Sequence, residues 1–407
     1  MRRDTHKIFS EGKIGELSLP NRLIRSATWD PSIVFSRKMN EDVLGVYREL
    51  AAGGVGLIIT GGLTVYRHVF PGEEAKKERF TFDELQVEGI HKLAQAAHKS
   101  GTGCKIIAQL EVGYLEAGPS ELSSPFDESG SRALTVQEIH EIINSFVAAI
   151  VQIKAAGFDG VQLHAAHGGL LSRFLSPYTN RRDDLYGGTL KKRVRIVSAI
   201  VSLARAQVGS YPILIKMNAT DYLPGGIDIH SFPELAKEIE RIGVDAIEVS
   251  GGMWECLVRS EEELGFRPVP APESHTRIHR AERQSYFLEY ARQLALDIPV
   301  ILVGGNRDVE RLEAILRRDE ADFIALCRPL IREPDLPNRW REGRGSSAAE
   351  CVSCNSCLYK MYVHPGKEEP GLVTCVSRSD KGMHKQAQKW LNSWVKENTN
   401  TQSASGR

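Results

Sequence analysis

Short apolar runs recur along the chain, and a stretch with helical periodicity follows most of them. The runs are continuous in hydrophobicity rather than alternating, which is typical of parallel strands covered on both faces. We predict eight strands, at residues 23–27, 55–60, 104–110, 158–164, 213–218, 246–250, 300–305 and 322–326. We predict helices between them at residues 41–52, 84–100, 135–156, 190–207, 231–242, 284–296 and 308–317.

Local signals support several of the predicted helix boundaries. Thr135 precedes Glu138 by three residues, which is a capping-box pattern. Eight alternations of strand and helix predict an α/β fold of the (β/α)8 TIM barrel type, with a short cysteine-containing C-terminal extension. A doubly wound open sheet is the alternative fold. It usually carries a Gly-x-Gly-x-x-Gly turn after its first strand, and none follows residues 23–27.

Two long segments interrupt the alternation, at residues 111–134 and 251–283. They follow the third and sixth predicted strands, on the face where barrels form their active sites. We expect the barrel to occupy residues 1–345 and a cysteine-rich extension to occupy residues 346–384, as a metal or cluster site. The tail, residues 385–407, is predicted to be helical and then disordered, because it ends in the polar stretch "NTNTQSASGR".

The overall charge excludes some classes of partner. The 407 residues include 52 Lys and Arg and 52 Asp and Glu, so the formal net charge is zero. This balance argues against a nucleic-acid surface or a polybasic membrane patch. The N-terminus lacks the apolar core of a secretory signal, and no apolar run approaches the ~20 residues that span a bilayer. We therefore expect a cytoplasmic protein with a small-molecule substrate; a homo-oligomer is left open.

Polar and small residues collect where the predicted strands end. Gln109 carries both a donor and an acceptor, which suits a uracil-like ring edge. Lys216 could stabilise negative charge on a reduced ring system. Gly304 and Gly305 would let backbone N–H groups approach an anion, and Arg328 adds a positive charge. The loops after strands seven and eight are the usual phosphate site of this fold.

Several longer motifs resemble the Old Yellow Enzyme family of FMN-dependent NAD(P)H:flavin oxidoreductases. The most specific is the pair His164 and His167 followed by "NRRDDLYGG"; the others are "NRLIRSAT", "GVGLIITGG", "IAQL", "ILVGGNRD" and "CRPLIREPDLPNRW". The resemblance covers roughly residues 7–345. It implies a (β/α)8 barrel that holds FMN over its C-terminal mouth, with NAD(P)H as the reductant.

The resemblance also implies which residues contact the flavin and the substrate. Cys327 stands where the family usually has glycine, and a backbone N–H contact to phosphate would survive if its φ angle is permitted. Trp29 would narrow the substrate side of the pocket. The implied flavin contacts are Ser26, Ala27, Thr28, Gly62, Gln109, Lys216, Gly304, Gly305, Cys327 and Arg328, and the implied substrate pocket contains Trp29, Tyr222 and Trp254.

The resemblance gives His164 and His167 the catalytic role. They would donate hydrogen bonds to a carbonyl or nitro oxygen while flavin N5 delivers a hydride to the activated C=C. Two converging N–H donors stabilise the charge that develops on that oxygen. A single histidine here would more often be structural, whereas a pair at a barrel strand end favours function.

Two positions depart from the family pattern. Many members have a tyrosine proton donor where this chain has Gly169, and many have a histidine where it has Val112. The proton would then come from water or from Tyr222, or the protein would not be an efficient alkene reductase.

Four of the seven cysteines lie near the C-terminus. Cys351, Cys354 and Cys357 form a C-x2-C-x2-C motif, and Cys375 follows after seventeen residues. Four thiolates can bind a [4Fe–4S] cluster or a zinc ion. The first three match the spacing in trimethylamine dehydrogenase, which with 2,4-dienoyl-CoA reductase represents an iron–sulfur branch of the family. Three interpretations stay open: a cluster reduced by a separate electron-transfer partner, a structural metal site, or free thiols.

The sequence thus predicts an FMN-dependent oxidoreductase that reduces an activated C=C of an α,β-unsaturated carbonyl or enoyl-type substrate. One alternative is an iron–sulfur flavoprotein dehydrogenase or demethylase that passes electrons outward to a partner. The other is a non-catalytic flavin- or ligand-binding barrel.

Overall fold

Eight parallel strands close into a barrel. A computed structural model describes residues 3–30, 39–65, 82, 84–112, 117–122, 131–278, 280–363 and 372–400. Its barrel strands are β1 Leu23–Arg25, β2 Leu57–Ile59, β3 Lys105–Glu111, β4 Gly160–Ala165, β5 Ile213–Asn218, β6 Ala246–Ser250, β7 Val300–Leu302 and β8 Phe323–Leu326. Each strand pairs with the next, and β8 pairs with β1. The predicted (β/α)8 TIM barrel is confirmed.

A helix follows each strand along the chain. These helices are α1 Glu41–Ala52, α2 Glu84–His98, α3 Val136–Ala155, α4 Leu190–Val208, α5 Phe232–Arg241, α6 Leu288–Ala291, α7 Val309–Arg317 and α8 Leu336–Arg341. The capping box that the sequence predicts at the start of α3 is present: the Thr135 hydroxyl accepts from the Glu138 N–H, and the Glu138 carboxylate accepts from the Thr135 N–H.

One predicted helix is much shorter than expected. The periodicity over residues 284–296 predicts about three turns, but α6 has four residues. Ser285 takes a left-handed backbone conformation, with φ of 52°. The N–H of Tyr286 donates to the carbonyl of Gly304 (3.1 Å), which ties this segment to the loop after β7. This tertiary contact outweighs the local helical pattern.

One end of the barrel is closed by packed apolar side chains. A hairpin, Gly12–Ile14 paired with Leu17–Leu19, precedes β1. Its buried Ile14 and Leu19 join a hydrophobic cluster with Ile107 and Phe323 from the barrel strands. Burying each of these side chains stabilises the fold by roughly 1.5–3 kcal/mol. The carboxyl ends of the strands lie at the other end, which leaves that end for polar chemistry.

The chain beyond the barrel ends in a long helix, Lys381–Asn400, that packs beside the loop after β1. Leu391 and Trp390 of this helix share a hydrophobic cluster with Trp29. Residues 401–407, where the sequence predicts disorder, lie outside the described part. Short helices or turns occupy Lys7–Phe9, Leu170–Leu175, Trp254–Val258, Glu261–Leu264, Ala281–Arg283, Arg328–Arg332, Leu358–Val363 and Val376–Ser379, and short strands occupy Leu63–Thr64, Ala117–Gly118 and Arg132–Ala133.

A helix that crosses a bilayer must be both long and apolar. None of the helices in the described ranges combines these two properties.

Candidate active site

A cavity of about 670 Å³ lies at the carboxyl ends of the barrel strands. Its size falls within the range of small-molecule and cofactor pockets. The predicted residues that line it are Ser26, Ala27, Trp29, Gly62, Gln109, His164, His167, Lys216, Trp254, Gly304, Gly305, Cys327 and Arg328. The structure therefore brings together both histidines and nearly all of the residues expected at the flavin.

Two predicted residues do not line the cavity. Thr28 is buried behind it, where its hydroxyl donates to the Ser26 carbonyl (3.2 Å). Tyr222 has a left-handed φ of 55°. Its ring packs edge-on against Phe266, with 4.9 Å between centroids, and near His275. The expectation that Tyr222 supplies the substrate's proton has no support from this position.

A buried polar network lies at the cavity wall. Gln109 Nε2 donates to Gln162 Oε1 (2.8 Å), and Gln162 Nε2 donates to Glu248 Oε2 (2.8 Å). The other oxygen of Glu248 accepts from Ser26 Oγ (2.6 Å) and lies 3.2 Å from Lys216 Nζ. Lys216 Nζ also donates to Ser26 Oγ (3.0 Å). The positive charge of Lys216 is therefore shared with a carboxylate, which the sequence did not reveal.

Gln162 and Glu248 are the members of this network that were not predicted from the sequence, and Glu248 is the charged one. It is completely buried in the middle of β6. The sequence could have indicated this residue, because an acidic residue inside an apolar strand is almost never fully buried unless it is paired with a positive charge. The run "AIEVS" carries that signal.

His167 is held in an unusual backbone conformation. Its φ is 59°, which a residue other than glycine adopts rarely and which often marks a functional site. The carboxamide Oδ1 of Asn218 accepts from the His167 N–H (3.1 Å), and His167 Nε2 lies 2.7 Å from Ser250 Oγ. Strands β5 and β6 thus fix both the backbone and the ring of this histidine.

His164 lies beside His167, with 5.2 Å between the ring centroids. Burial, together with the neighbouring His167 and Lys216, holds the pKa of His164 well below its usual value. Burial and Lys216 do the same to the pKa of His167. Both rings are therefore neutral at pH 7, and each has a single N–H to donate. His164 Nδ1 is buried and has no hydrogen-bond partner among the described residues.

Glu111, the last residue of β3, also lines the cavity. Its Oε2 lies 3.9 Å from His164 Nε2, and 13% of its side chain is exposed. Burial raises the pKa of Glu111 to about 7. This residue was not predicted from the sequence, although it follows Gln109 by two positions on the same strand and therefore faces the same side.

Positive charge collects at the opposite end of the cavity. Gly304 and Gly305 have φ angles of 99° and 72°, and a Cβ on Gly304 would lie 2.6 Å from the Phe287 ring. Arg328 is held by the carbonyl of His275 (2.7 Å) and by the side chain of Asn355. Arg307, which was not predicted from the sequence, is 7% exposed, and its Nη1 has no partner among the described residues.

Cys327 stands at this end of the cavity, where the family usually has glycine. Its φ is −112° and its ψ is −87°. The negative φ means that position 327 does not need the left-handed conformation that favours glycine.

The four C-terminal cysteines line one small second cavity, which Arg332 also lines. All four are free thiols, and Arg332 Nη1 lies 3.7 Å from Cys375 Sγ. Arg328, Cys351 and Ser353 line both this cavity and the barrel cavity. Across the described residues, no three His, Cys, Asp or Glu side chains are grouped closely enough to hold a metal ion.

Comparison with known proteins agrees with the family resemblance. The chain is 34% identical over 361 residues to the NADH oxidase of Thermoanaerobacter brockii, in a match that covers 86% of this chain and 52% of that protein. It is 31% identical over 344 residues to the NADPH dehydrogenase of Listeria welshimeri, in a match that covers 81% of this chain and 92% of that protein.

A solved structure of 2-naphthoyl-CoA reductase with 2-naphthoyl-CoA shares the fold, with a TM-score of 0.76 and 24% identity. The match covers 94% of this chain and 58% of that one. The chain thus spans about half the length of the NADH oxidase and somewhat more than half the length of this reductase.

The family match extends over residues 7–347, which is most of the chain and includes every barrel strand. The protein belongs to the NADH:flavin oxidoreductase / NADH oxidase family.

Proposed function

We propose that this protein binds FMN in the barrel cavity, takes electrons from NAD(P)H and reduces the activated C=C of an α,β-unsaturated carbonyl or enoyl-type compound. The observation that carries the proposal is the pair of neutral imidazoles, His164 and His167, in the same cavity as the expected flavin contacts. A neutral N–H donor can stabilise negative charge that develops on a substrate oxygen.

The residues present fit FMN. Gly304, Arg307 and Arg328 all line the cavity, and the buried Nη1 of Arg307 is without a partner in the described structure. These groups would hold the phosphate. Gln109 would bind the pyrimidine edge of the ring. When bound, FMN accepts a hydride from a nicotinamide and supplies one to an electrophilic carbon.

The remaining polar residues would orient the substrate oxygen. With its Nε2 beside the Ser250 hydroxyl, His167 can donate from Nδ1 when Ser250 donates to Nε2. Because the Ser250 hydroxyl can either donate or accept, it is compatible with the tautomer that leaves Nδ1–H free for a carbonyl oxygen. Trp29 and Trp254, which also line the cavity, would restrict the substrate to a flat or narrow molecule.

Anaerobic flavin reduction and reoxidation test the proposal. The FMN-loaded protein is reduced with NADH or with NADPH, and then mixed with a panel of enones, enoates and nitroalkenes. We expect reduction by at least one nicotinamide and reoxidation by at least one acceptor. A flavin that neither nicotinamide nor a reduced ferredoxin reduces would instead support a non-catalytic flavin-binding barrel.

The histidine pair has its own test. Replacing both His164 and His167 with alanine should abolish the charge-transfer band of a bound phenol while FMN stays bound. Replacing the exposed Glu49 with glutamine is the control, and it should leave the band unchanged. An unaltered phenol affinity in the double variant would contradict the assigned role.

A second function is supported by the shared wall between the two cavities. We propose that Cys351, Cys354, Cys357 and Cys375 bind a [4Fe–4S] cluster, because all four thiols line one cavity. A cluster takes one thiolate at each of its four iron atoms, so the thiols need not meet at a single metal ion. A cluster stores and relays single electrons, so the flavin could exchange them with a separate partner protein. The protein would then act as a dehydrogenase or demethylase that passes electrons outward.

Iron and sulfide analysis of anaerobically prepared protein tests this second function. We expect close to four iron and four sulfide ions per chain for a [4Fe–4S] cluster, with absorbance near 400 nm beyond that of the flavin. Protein that contains zinc, or no metal, would leave the cysteines with a structural role or as free thiols.

A further inference from the structure

We propose that Glu111 is the proton donor of the reaction, delivering a proton to the substrate carbon next to the carbonyl after hydride has reached the neighbouring carbon. The inference rests on the proposed reduction of an activated C=C. It answers the question that Gly169 raises, because this chain lacks a side chain at the position where many relatives keep a tyrosine.

Glu111 and position 169 approach the same edge of His164. A Cβ added to Gly169 would lie 3.5 Å from His164 Cδ2 and 3.8 Å from His164 Nε2. Glu111 Oε2 lies 3.9 Å from that same nitrogen. Position 169 stands at the start of the Leu170–Leu175 helix, and a side chain there would face the Nε2 edge of His164. The carboxyl group of Glu111, from β3, lies beside that same edge.

The chain makes room for this carboxyl group at Gly62. A Cβ on Gly62 would lie 2.3 Å from Glu111 Cδ and 2.5 Å from its Oε2, so a side chain at position 62 would push the carboxyl group out of its present place. The φ angle of Gly62 is not positive, so its backbone does not require glycine. The absence of a side chain at position 62 leaves the space that the Glu111 carboxyl group fills.

Glu111 can also hold a proton at neutral pH. Burial alone raises the pKa of its carboxyl group to about 7. A general acid works best with a pKa near the working pH. The ionisable Asp, Glu, His, Lys and Arg side chains that line the same cavity within the described residues are His164, His167, Arg173, Lys216, Glu255, Glu273, Arg307 and Arg328.

The proposed step balances in atoms and electrons. The reductant would be a reduced flavin, from which two electrons and one hydrogen would reach the β-carbon as hydride. The O–H bond of Glu111 breaks while a C–H bond forms at the α-carbon, and the C=C becomes a single bond. His164 and His167 hold the carbonyl oxygen as its negative charge forms and disappears. Water then returns a proton to the Glu111 carboxylate.

The variant Glu111→Gln keeps the shape of the side chain and removes its acidity. We expect reoxidation of the reduced flavin by an enone to slow by about 10²–10⁴-fold at pH 7, which is the usual contribution of general acid catalysis. Reduction of the flavin by NAD(P)H should stay within about twofold of wild type, because that half-reaction needs no substrate proton. The variant Glu49→Gln, on the exposed face of α1, is the matched control.

A rescue variant separates proton donation from a structural role. Gly169 has an extended backbone (φ −60°, ψ 162°), and a Cβ added there would lie 3.4 Å from the Ala166 carbonyl oxygen, so position 169 tolerates a side chain. We expect the double variant Glu111→Gln with Gly169→Tyr to be reoxidised at least about tenfold faster than Glu111→Gln alone. In wild type, ionisation of Glu111 should make the reoxidation rate fall above pH 7. In the double variant this fall should be absent.

Infrared difference spectroscopy provides a readout that needs no turnover. The full chain is titrated from about pH 5 to pH 9, below and above the raised pKa. A protonated carboxyl band that disappears near pH 7 in wild type and is absent in Glu111→Gln would support the inference. A Glu111 that is already ionised at pH 5 would overturn it.

The failure of this inference differs from the failure of the proposed function. If no acceptor reoxidises wild-type protein, then the reduction of an activated C=C is wrong and the proton-donor role falls with it. If wild type is reoxidised and Glu111→Gln reacts at the same rate with the same pH profile, then only the role of Glu111 is wrong.

Discussion

At the scale of single residues, the barrel mouth depends on charges that are buried in pairs. Lys216 and Glu248 lie 3.2 Å apart, and their side chains are 6% and 0% exposed. Ser26 and Gln162 complete the hydrogen bonds of the carboxylate. Such a pair adds little net stability because both charges lose their water, but the loss of one partner leaves a buried charge without compensation.

Replacing Glu248 with glutamine should therefore destabilise the fold by roughly 3–5 kcal/mol, because the Lys216 ammonium loses its counter-charge. Urea unfolding of the protein without flavin measures the change. The double variant Glu248→Gln with Lys216→Met should lose less, since it removes both charges. Equal losses in the single and the double variant would contradict the pairing of the two charges.

Glu111 should make the stability of the protein depend on pH. Its pKa rises from 4.5 in the unfolded chain to about 7 in the folded one. Between these values the folded state binds more protons, so the contribution of this group to stability is fully present below pH 4.5. That contribution is lost as the pH rises through 7, by about 3 kcal/mol in total.

Urea unfolding of wild type and Glu111→Gln at several pH values measures this contribution. The stability of wild type relative to the variant should fall between about pH 5 and pH 8. A difference that stays constant with pH, or that grows as the pH rises, would contradict the raised pKa.

At the scale of elements, the apolar runs were sufficient to predict all eight strands, because both faces of a barrel strand are buried. The prediction of a helix over residues 284–296 was wrong in its length, because the hydrogen bond from the Tyr286 N–H to the Gly304 carbonyl joins residues that no local pattern connects. The histidine pair could be predicted because it sits at a strand end. Glu111 was harder to identify from the sequence, because its position beside Gly62 and His164 appears only in the folded chain.

The C-terminal helix Lys381–Asn400 contributes to the cavity in a way that the sequence did not suggest. Trp394 lines the cavity, and Trp390 stacks on Tyr362 with 6.1 Å between ring centroids. Tyr362 stacks in turn on Trp29, at 6.3 Å. An aromatic layer therefore joins the helix to the loop after β1 at the barrel mouth.

Replacing Trp390 with alanine should loosen this layer. We expect a phenol or substrate to bind about 3–10-fold more weakly, because aromatic pairs contribute roughly 0.5–1.5 kcal/mol beyond their buried area. A titration that follows the flavin's absorbance gives the affinity. Replacing the exposed Lys389 on the same helix is the control. Unchanged affinity in Trp390→Ala would show that the stacking of Trp390 on Tyr362 does not shape the pocket.

At the scale of the whole molecule, two cavities share one wall. Cys351 lines both of them, whereas Cys375 lines only the smaller one. The sequence left a cluster, a structural metal site or free thiols open for the four cysteines. It could not predict this shared wall, because Cys351 is tied to the barrel by Arg307 from the loop after β7, which donates to the Cys351 carbonyl.

Two cysteine variants should separate the cavities. Cys375→Ser is expected to lose iron while it keeps the wild-type affinity for FMN. Cys351→Ser is expected to lose iron and also to bind FMN more weakly. Iron analysis and flavin fluorescence measure the two effects. Identical FMN affinities in both variants would indicate that Cys351 does not contribute to the flavin side.

The wall formed by Arg328, Cys351 and Ser353 also has a consequence for ionic strength. Electrons that cross between the two cavities would pass only through protein, with no layer of bulk water between them. Their transfer rate should therefore be insensitive to added salt. Electrons from a separate carrier protein must first arrive through charged surfaces that salt screens within about 10 Å at 0.1 M. A salt series can thus distinguish internal electron transfer from delivery by an outside carrier.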